Sequence, residues 1–216
     1  MRAETTVARL ALARRASAEM IERKSVFIGT AAPVASEAEA RELIEEMRHK
    51  YHDATHNVYA YQLNGGAIAR YSDDGEPQGT AGIPVLNILK MSGVSDLCVV
   101  VTRYFGGILL GAGGLVRAYA ASAKLAIETA GIVTMTDFAI LRVRCSYSEY
   151  QKITAALPKL GVSEDNTEYD DAVTLTVGVE STRAEELMRA LSEMTNGRVT
   201  AEIVGHEERP RAAGMV

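Results

Sequence analysis

Hydrophobic positions recur along this chain with two periods, and the changes of period mark its elements. Leu97-Cys98-Val99-Val100-Val101 is uncharged and rich in β-branched residues, which predicts a buried strand over 97–102. Upstream, Met20-Ile21 and residues 25–32 read as strands joined by the charged link Glu22-Arg23-Lys24. Ser36 followed three residues later by Glu39 is a capping box. The helix it opens carries Ala40, Leu43, Ile44 and Met47 on one stripe. Residues 58–63 alternate as a strand, Asn64-Gly65-Gly66 is a hairpin-type turn, and 67–71 returns as the next strand. Pro84 suits the first turn of a helix over 80–90, and a second helix over 115–129 stops at Gly131.

Around 133–136 the pattern restarts. It predicts a strand over 138–145, then a helix capped by Ser148 and Gln151 that runs to about Leu160. Strands over 161–169 and 172–179 follow, then a helix capped by Thr182 and Glu185, and a last strand over 199–204. The order βαββαβ is the ferredoxin-like signature. The expected fold class is therefore α+β, with one domain over 1–133 and a ferredoxin-like domain over 134–208. Residues 1–17 are expected as a loose helical lead-in and 209–216 as a frayed tail.

Composition narrows the class. At 216 residues, 47% hydrophobic and 24% charged, the chain matches a soluble globular protein with one large or two small cores. No apolar run approaches the roughly 20 residues of a membrane span. Arg2, Glu4, Arg9, Arg14 and Arg15 interrupt any leader-like apolar stretch, so a cytoplasmic location is expected. Cys98 and Cys145 lie far apart in apolar runs and read as buried free thiols. The net charge of −5 is uneven: residues 1–133 carry 14 basic and 14 acidic groups, residues 134–216 carry 9 and 14. Broad phosphate-backbone binding by the C-terminal part is thus disfavoured.

Candidate chemistry concentrates between Tyr71 and Tyr119, which hold nine of the eighteen glycines. So many glycines in one window imply unusual backbone angles or close backbone approach. Asp73, Asp74 and Glu76 place three carboxylates in one turn. They suit Mg²⁺, a basic partner, or a structural turn in which the Asp side chains bond their own backbone or the carboxylates pair with Arg103 or Arg117. Gly111-Ala112-Gly113-Gly114 running into a helix is an anion cradle by its free amides and helix dipole, with Arg117 one turn in. It lacks the Lys-Ser/Thr of a P-loop, so nucleotide hydrolysis is not indicated. Arg103, Tyr104 and Phe105, followed by Gly106 and Gly107, put a guanidinium and two rings at a strand end, suited to base stacking or a protein contact. His56 with Asp73, Asp74 and Glu76 would be the acid/base set of an enzyme. No Ser/His/Asp order, no Cys nucleophile in a polar setting and no zinc signature is present, so the reading leans away from catalysis.

These motifs together resemble the Impact family and its bacterial YigZ-type members. The residues that carry the likeness are His56-Asn57, Tyr71 to Pro77, Gly79-Thr80-Ala81-Gly82 with Pro84, Thr102 to Gly107, and Gly111 to Tyr119. The resemblance covers about residues 17 to 130. It implies an N-terminal domain similar to domain two of a small-subunit ribosomal protein and domain four of elongation factor G, with a left-handed βαβ crossover against the usual rule. It also implies a C-terminal domain similar to domain five of that factor. By the same resemblance, eukaryotic members regulate translation through the activator of a starvation-responsive kinase, and the expected partner is RNA or a ribosome-associated protein. Val58 stands where many members have Cys, and Ile83 where Arg or Lys is common. The expected activity is binding through the glycine loop with Arg103 and Arg117. The alternatives are a metal-assisted phosphoryl-transfer or hydrolytic enzyme built on the acidic turn, and a protein–protein regulatory module.

Overall fold

The computed structural model describes residues 9–211, and the chain divides after Thr134 into two compact units. The N-terminal unit opens with β1 (Arg9–Leu12), β2 (Ala16–Glu22), β3 (Ser25–Pro33) and α1 (Glu37–Lys50). It continues through β4 (His56–Leu63), β5 (Ile68–Ser72), α2 (Gly82–Ser92), β6 (Leu97–Tyr104) and α3 (Ala112–Ala130). Its sheet runs β2-β3-β6-β4-β5, antiparallel throughout. The unbroken apolar run of β6 has a simple cause: both faces of this strand are covered. Val99 and Val101 pack with α2 and α3, while Cys98 and Val100 pack with α1. Burial pushes the Cys98 thiol up to about pKa 12, so it stays protonated and inert.

The stretch expected as a helical lead-in is extended where it is described. β1 is held by Ser95 N–H to the Leu10 carbonyl (3.0 Å) and Ala13 N–H to the Gly131 carbonyl (2.9 Å). β2 begins at Ala16 and pairs with β3, Ala16 opposite Ala31 and Ala18 opposite Gly29. Alanine's helix propensity is overridden because an isolated helix there would leave the edge of β3 unpaired. Residues 1–8 lie outside the described residues. β2 and β3 are joined by Arg23 and Lys24, both with positive φ (45° and 68°), the twist a two-residue hairpin turn requires.

Tyr61 gives a pH prediction. Its hydroxyl donates to Glu37 Oε2 at 2.6 Å, and burial, then that carboxylate, raise its pKa to about 12 from about 10. A raised folded pKa favours the neutral phenol. Its contribution is therefore whole below about pH 10 and is lost as pH rises to about 12. Urea midpoints measured across that range should fall more steeply for the wild type than for Tyr61→Phe.

The C-terminal unit contains β7 (Ile132–Cys145, which enters from the N-terminal unit), α4 (Tyr147–Ala156), β8 (Ser163–Tyr169) and β9 (Val173–Glu180). It ends with α5 (Ala184–Met194) and β10 (Ala201–Pro210). β7 also takes β1 as a sheet partner, and within this unit the order β10-β7-β9-β8, antiparallel at each of these three pairs, is the ferredoxin-like arrangement. Leu141 and Val143 of β7 and Leu175 and Val177 of β9 meet Ile153, Leu187 and Leu191 from the helices. Three expectations change here. The cap of α4 is Ser146 with Glu149, two residues before the expected pair, and both arms of the box form. α5 begins after a 3₁₀ turn at Ser181–Arg183 and has no side-chain cap, so Thr182 is not its cap. The last strand does not stop at 204: β10 continues to Pro210 along β7, past a register shift between Ile203 and Gly205, so the expected tail at 209–216 begins as strand. Residues 212–216 lie outside the described residues. Among the described residues no helix is long and apolar enough to cross a membrane.

Candidate functional site

The turn between β5 and α2 does not gather its carboxylates; it separates them. Asp73 accepts backbone N–H groups from Gly79 (2.9 Å), Ala81 (3.1 Å) and Gly82 (2.8 Å), and so caps α2 from a distance. Gly82 is needed there, because a Cβ would lie 2.8 Å from the Ser72 carbonyl oxygen. Asp74 accepts the Asn57 N–H at 2.6 Å and a longer contact from Arg48 at 3.5 Å. Glu76 turns inward and is buried. The candidate metal site at Asp73, Asp74 and Glu76 is not assembled among the described residues, and the structural alternative is what the geometry shows: Asp73 and Asp74 bond backbone amides, Glu76 pairs with Arg103, and no group of three His, Cys, Asp or Glu side chains converges.

Glu76 Oε1 is the hub of a buried polar cluster. It accepts from Arg103 Nη1 at 2.6 Å and from the Tyr119 hydroxyl at 2.7 Å. His56 Nε2 lies 3.7 Å away. His56 Nδ1 contacts the Asp74 carbonyl at 2.7 Å, and since a carbonyl only accepts, Nδ1 carries the proton. The Arg103 guanidinium lies over the rings of Phe27 (5.6 Å) and Phe105 (5.5 Å), and Nη2 reaches Ser25 Oγ at 3.4 Å. Its Nε is buried without a hydrogen-bond partner. Burial, then the neighbouring Glu76 carboxylate, hold the Tyr119 phenol far above its ordinary pKa, so it remains a donor. The cluster joins β4, the acidic turn, β6 and α3 through one carboxylate.

The glycine loop follows. Gly106 lies so close to the β2–β3 turn that an added Cβ would sit 2.0 Å from the Lys24 carbonyl carbon. Its N–H donates to Ser25 Oγ at 3.2 Å. Gly111 takes φ 71° as the N-cap of α3, whose first helical bond runs from Leu115 N–H to the Gly111 carbonyl at 2.9 Å. The amides of Ala112, Gly113 and Gly114 thus have no intrahelical acceptor. Residues 111–113 are exposed. The helix starts three residues earlier than the spacing predicts, so Gly113 and Gly114 form its first turn. A groove of about 230 Å³ runs beside that turn, lined by Met20, Glu22, Arg23, Gly114 and Arg117 among others.

The structure thus divides the residues expected to act together. Arg103 is turned into the interior on Glu76 and is not placed at the mouth of α3. Arg117 is exposed there, and Arg23, not Arg103, lines the same groove. Tyr104 donates to Asp53 at 2.8 Å, and Phe105 keeps about half of its surface exposed. Gly107 is exposed, with φ 82°. Arg23 is legible in the sequence only as part of a charged link, since its neighbour α3 lies some ninety positions on. Val58 is fully buried among the α2 and α3 contacts, so this position governs packing rather than thiol chemistry. Ile83 is part-exposed in the first turn of α2.

Fold and site define a two-unit α+β protein whose first unit carries a glycine-rich helix mouth above a buried Glu76–Arg103 pair. The chain belongs to the IMPACT family. The Impact N-terminal domain pattern matches residues 23–127, and a domain of unknown function (DUF1949) matches residues 143–198. The IMPACT family member YvyE of Bacillus subtilis is 37% identical over 181 residues, covering 83% of both chains. The IMPACT family member YigZ of Escherichia coli is 33% identical over 178 residues, covering 81% of this chain and 87% of that one. The protein IMPACT homolog of Dictyostelium discoideum is 42% identical over 95 residues, 42% of this chain and 27% of that protein. A solved structure described as a hypothetical protein superposes with a TM-score of 0.58 at 30% identity. It covers 92% of this chain and 98% of that one.

Proposed function

We propose that the N-terminal unit is a binding module that captures a negatively charged group of RNA or of a ribosome-associated partner at the mouth of α3. One observation carries the reading: exposed first-turn amides stand beside a groove edged by Arg23 and Arg117. Glu22 lines the same groove, and its charge favours a compact anion held at the arginines over a broad phosphate track. The translational role implied by the family resemblance supports the same direction, as an analogy of fold. The hydrolytic alternative loses its support, because Asp73 and Asp74 hold backbone amides and Glu76 holds Arg103.

Binding of the full chain to ribosomal RNA, transfer RNA and isolated ribosomal subunits across a salt series tests this. Arg23→Ala and Arg117→Ala should each weaken binding several-fold and lower the salt slope by about one for RNA. Salt-insensitive or absent binding, with both variants equal to wild type, overturns it.

A further inference from the structure

The C-terminal unit holds a second surface, built from other residues than the glycine loop and independent of it. Tyr147 and Tyr150 on α4 face Tyr169 on β8, the strand at the edge of the sheet. The Tyr147 and Tyr169 rings stack at 6.4 Å and 22°, and Tyr150 meets Tyr169 edge-on at 5.8 Å. Their hydroxyls are all engaged within the unit. Tyr147 donates to the Asp170 carbonyl at 2.9 Å. Tyr150 and Tyr169 share a 2.9 Å bond, and Tyr150 lies 3.4 Å from both Glu164 oxygens. With one proton per phenol and a carboxylate that only accepts, that relay runs from Tyr169 to Tyr150 to Glu164.

Hydroxyls so held fix the rings, yet Tyr147 remains 51% exposed and Tyr169 60%. What this platform offers outward is ring surface, whose negative face attracts cations. The surrounding charge has the same preference. Residues 163–172 contain Glu164, Asp165, Glu168, Asp170 and Asp171 and no basic residue. Arg209 pairs with Asp165 and Arg144 with Asp171. No ion pair among the described residues neutralises Glu164, Glu168 or Asp170.

We propose that this tyrosine platform docks a basic, arginine-bearing extended segment of a partner protein, with guanidinium groups stacked on Tyr147 and Tyr169 and paired with Glu164 and its acidic neighbours. Single-stranded RNA also stacks on exposed rings, but its phosphates would be repelled by this rim.

Fluorescence anisotropy of labelled oligo-arginine, oligo-lysine and oligouridine with the full chain decides the matter. Oligo-arginine should bind more tightly than oligo-lysine. Tyr147→Ala/Tyr169→Ala should weaken it about 10-fold, and Glu164→Gln about 3-fold. The Tyr147→Phe/Tyr169→Phe chain, which keeps both rings, should bind within about 2-fold of wild type. Should the double alanine variant unfold, Tyr147→Arg places a like charge on the platform and should give the same loss. The proposal is overturned by absent or unsaturable oligo-arginine binding. It is overturned equally by tyrosine variants that bind as wild type, or by oligouridine binding that the tyrosine variants abolish.

Discussion

Arg103→Ala should lower the stability of the N-terminal unit by about 3–5 kcal/mol, the usual consequence of leaving one member of a buried ion pair alone. The Glu76 side chain is only 3% exposed, and removing Arg103 would leave its charge with the Tyr119 hydroxyl as its main donor. A pair of this kind contributes less than its breakage suggests, because both groups were desolvated to form it. Glu76→Gln/Arg103→Met should therefore recover much of the loss, because the amide oxygen introduced at position 76 can still accept from Tyr119. Urea unfolding of the two single variants and the double variant gives the coupling directly. A loss below about 1 kcal/mol for Arg103→Ala would show that the carboxylate reaches water, and the pair would then not be the hub described.

Gly106→Ala carries the second large effect. Its Cβ would meet Lys24 C and O at 2.0 Å and Ser25 N at 2.5 Å, all backbone atoms that no rotamer change can move aside. Either the β2–β3 turn or the glycine loop must shift. Overpacking of this kind typically costs about 1–3 kcal/mol, and contact with backbone alone places this one at the upper end. Both segments border the groove: Arg23 belongs to the turn, and Gly114 and Arg117 follow the loop. Gly106→Ala should therefore lower the thermal midpoint and weaken anion binding together, as calorimetry and the salt-dependent binding assay would show. Gly107→Ala is the contrast. Its Cβ would meet nothing within 4 Å, so its cost is confined to a positive φ of 82°. That cost is about 1 kcal/mol.

How much of this is legible in the chain follows from the range of each interaction. The strand at 97–101 and the Ser36 helix are readable because their signals are local: an apolar run between polar flanks, and a cap three residues from its partner. The lead-in and the tail defeat a local reading for one reason. β1, β2 and the outer half of β10 have no strong period of their own and are extended because a neighbouring strand accepts them: β7 for β1 and β10, β3 for β2. The cap of α4 falls two residues from the expected one, because Ser146 and Ser148 are equivalent to any local rule.

In the candidate site the residue types are visible beforehand, and so are the turn's own backbone and Arg103 as candidate partners, but not which carboxylate takes which. Three carboxylates within four residues look like one site. Only the fold sends Asp73 to the start of α2, Asp74 to β4 and Glu76 to β6 and α3. Neighbouring residues are enough to establish the two-unit α+β architecture, the βαββαβ order and the place of the glycine window, since hydrophobic period and backbone freedom are local properties. It took the folded chain to turn Arg103 inward and to stand Arg23 with Arg117 at the mouth of α3. A charge's surroundings are set by chain segments far away in sequence, and burial, more than residue type, determines whether that charge is held within the fold or offered to a partner.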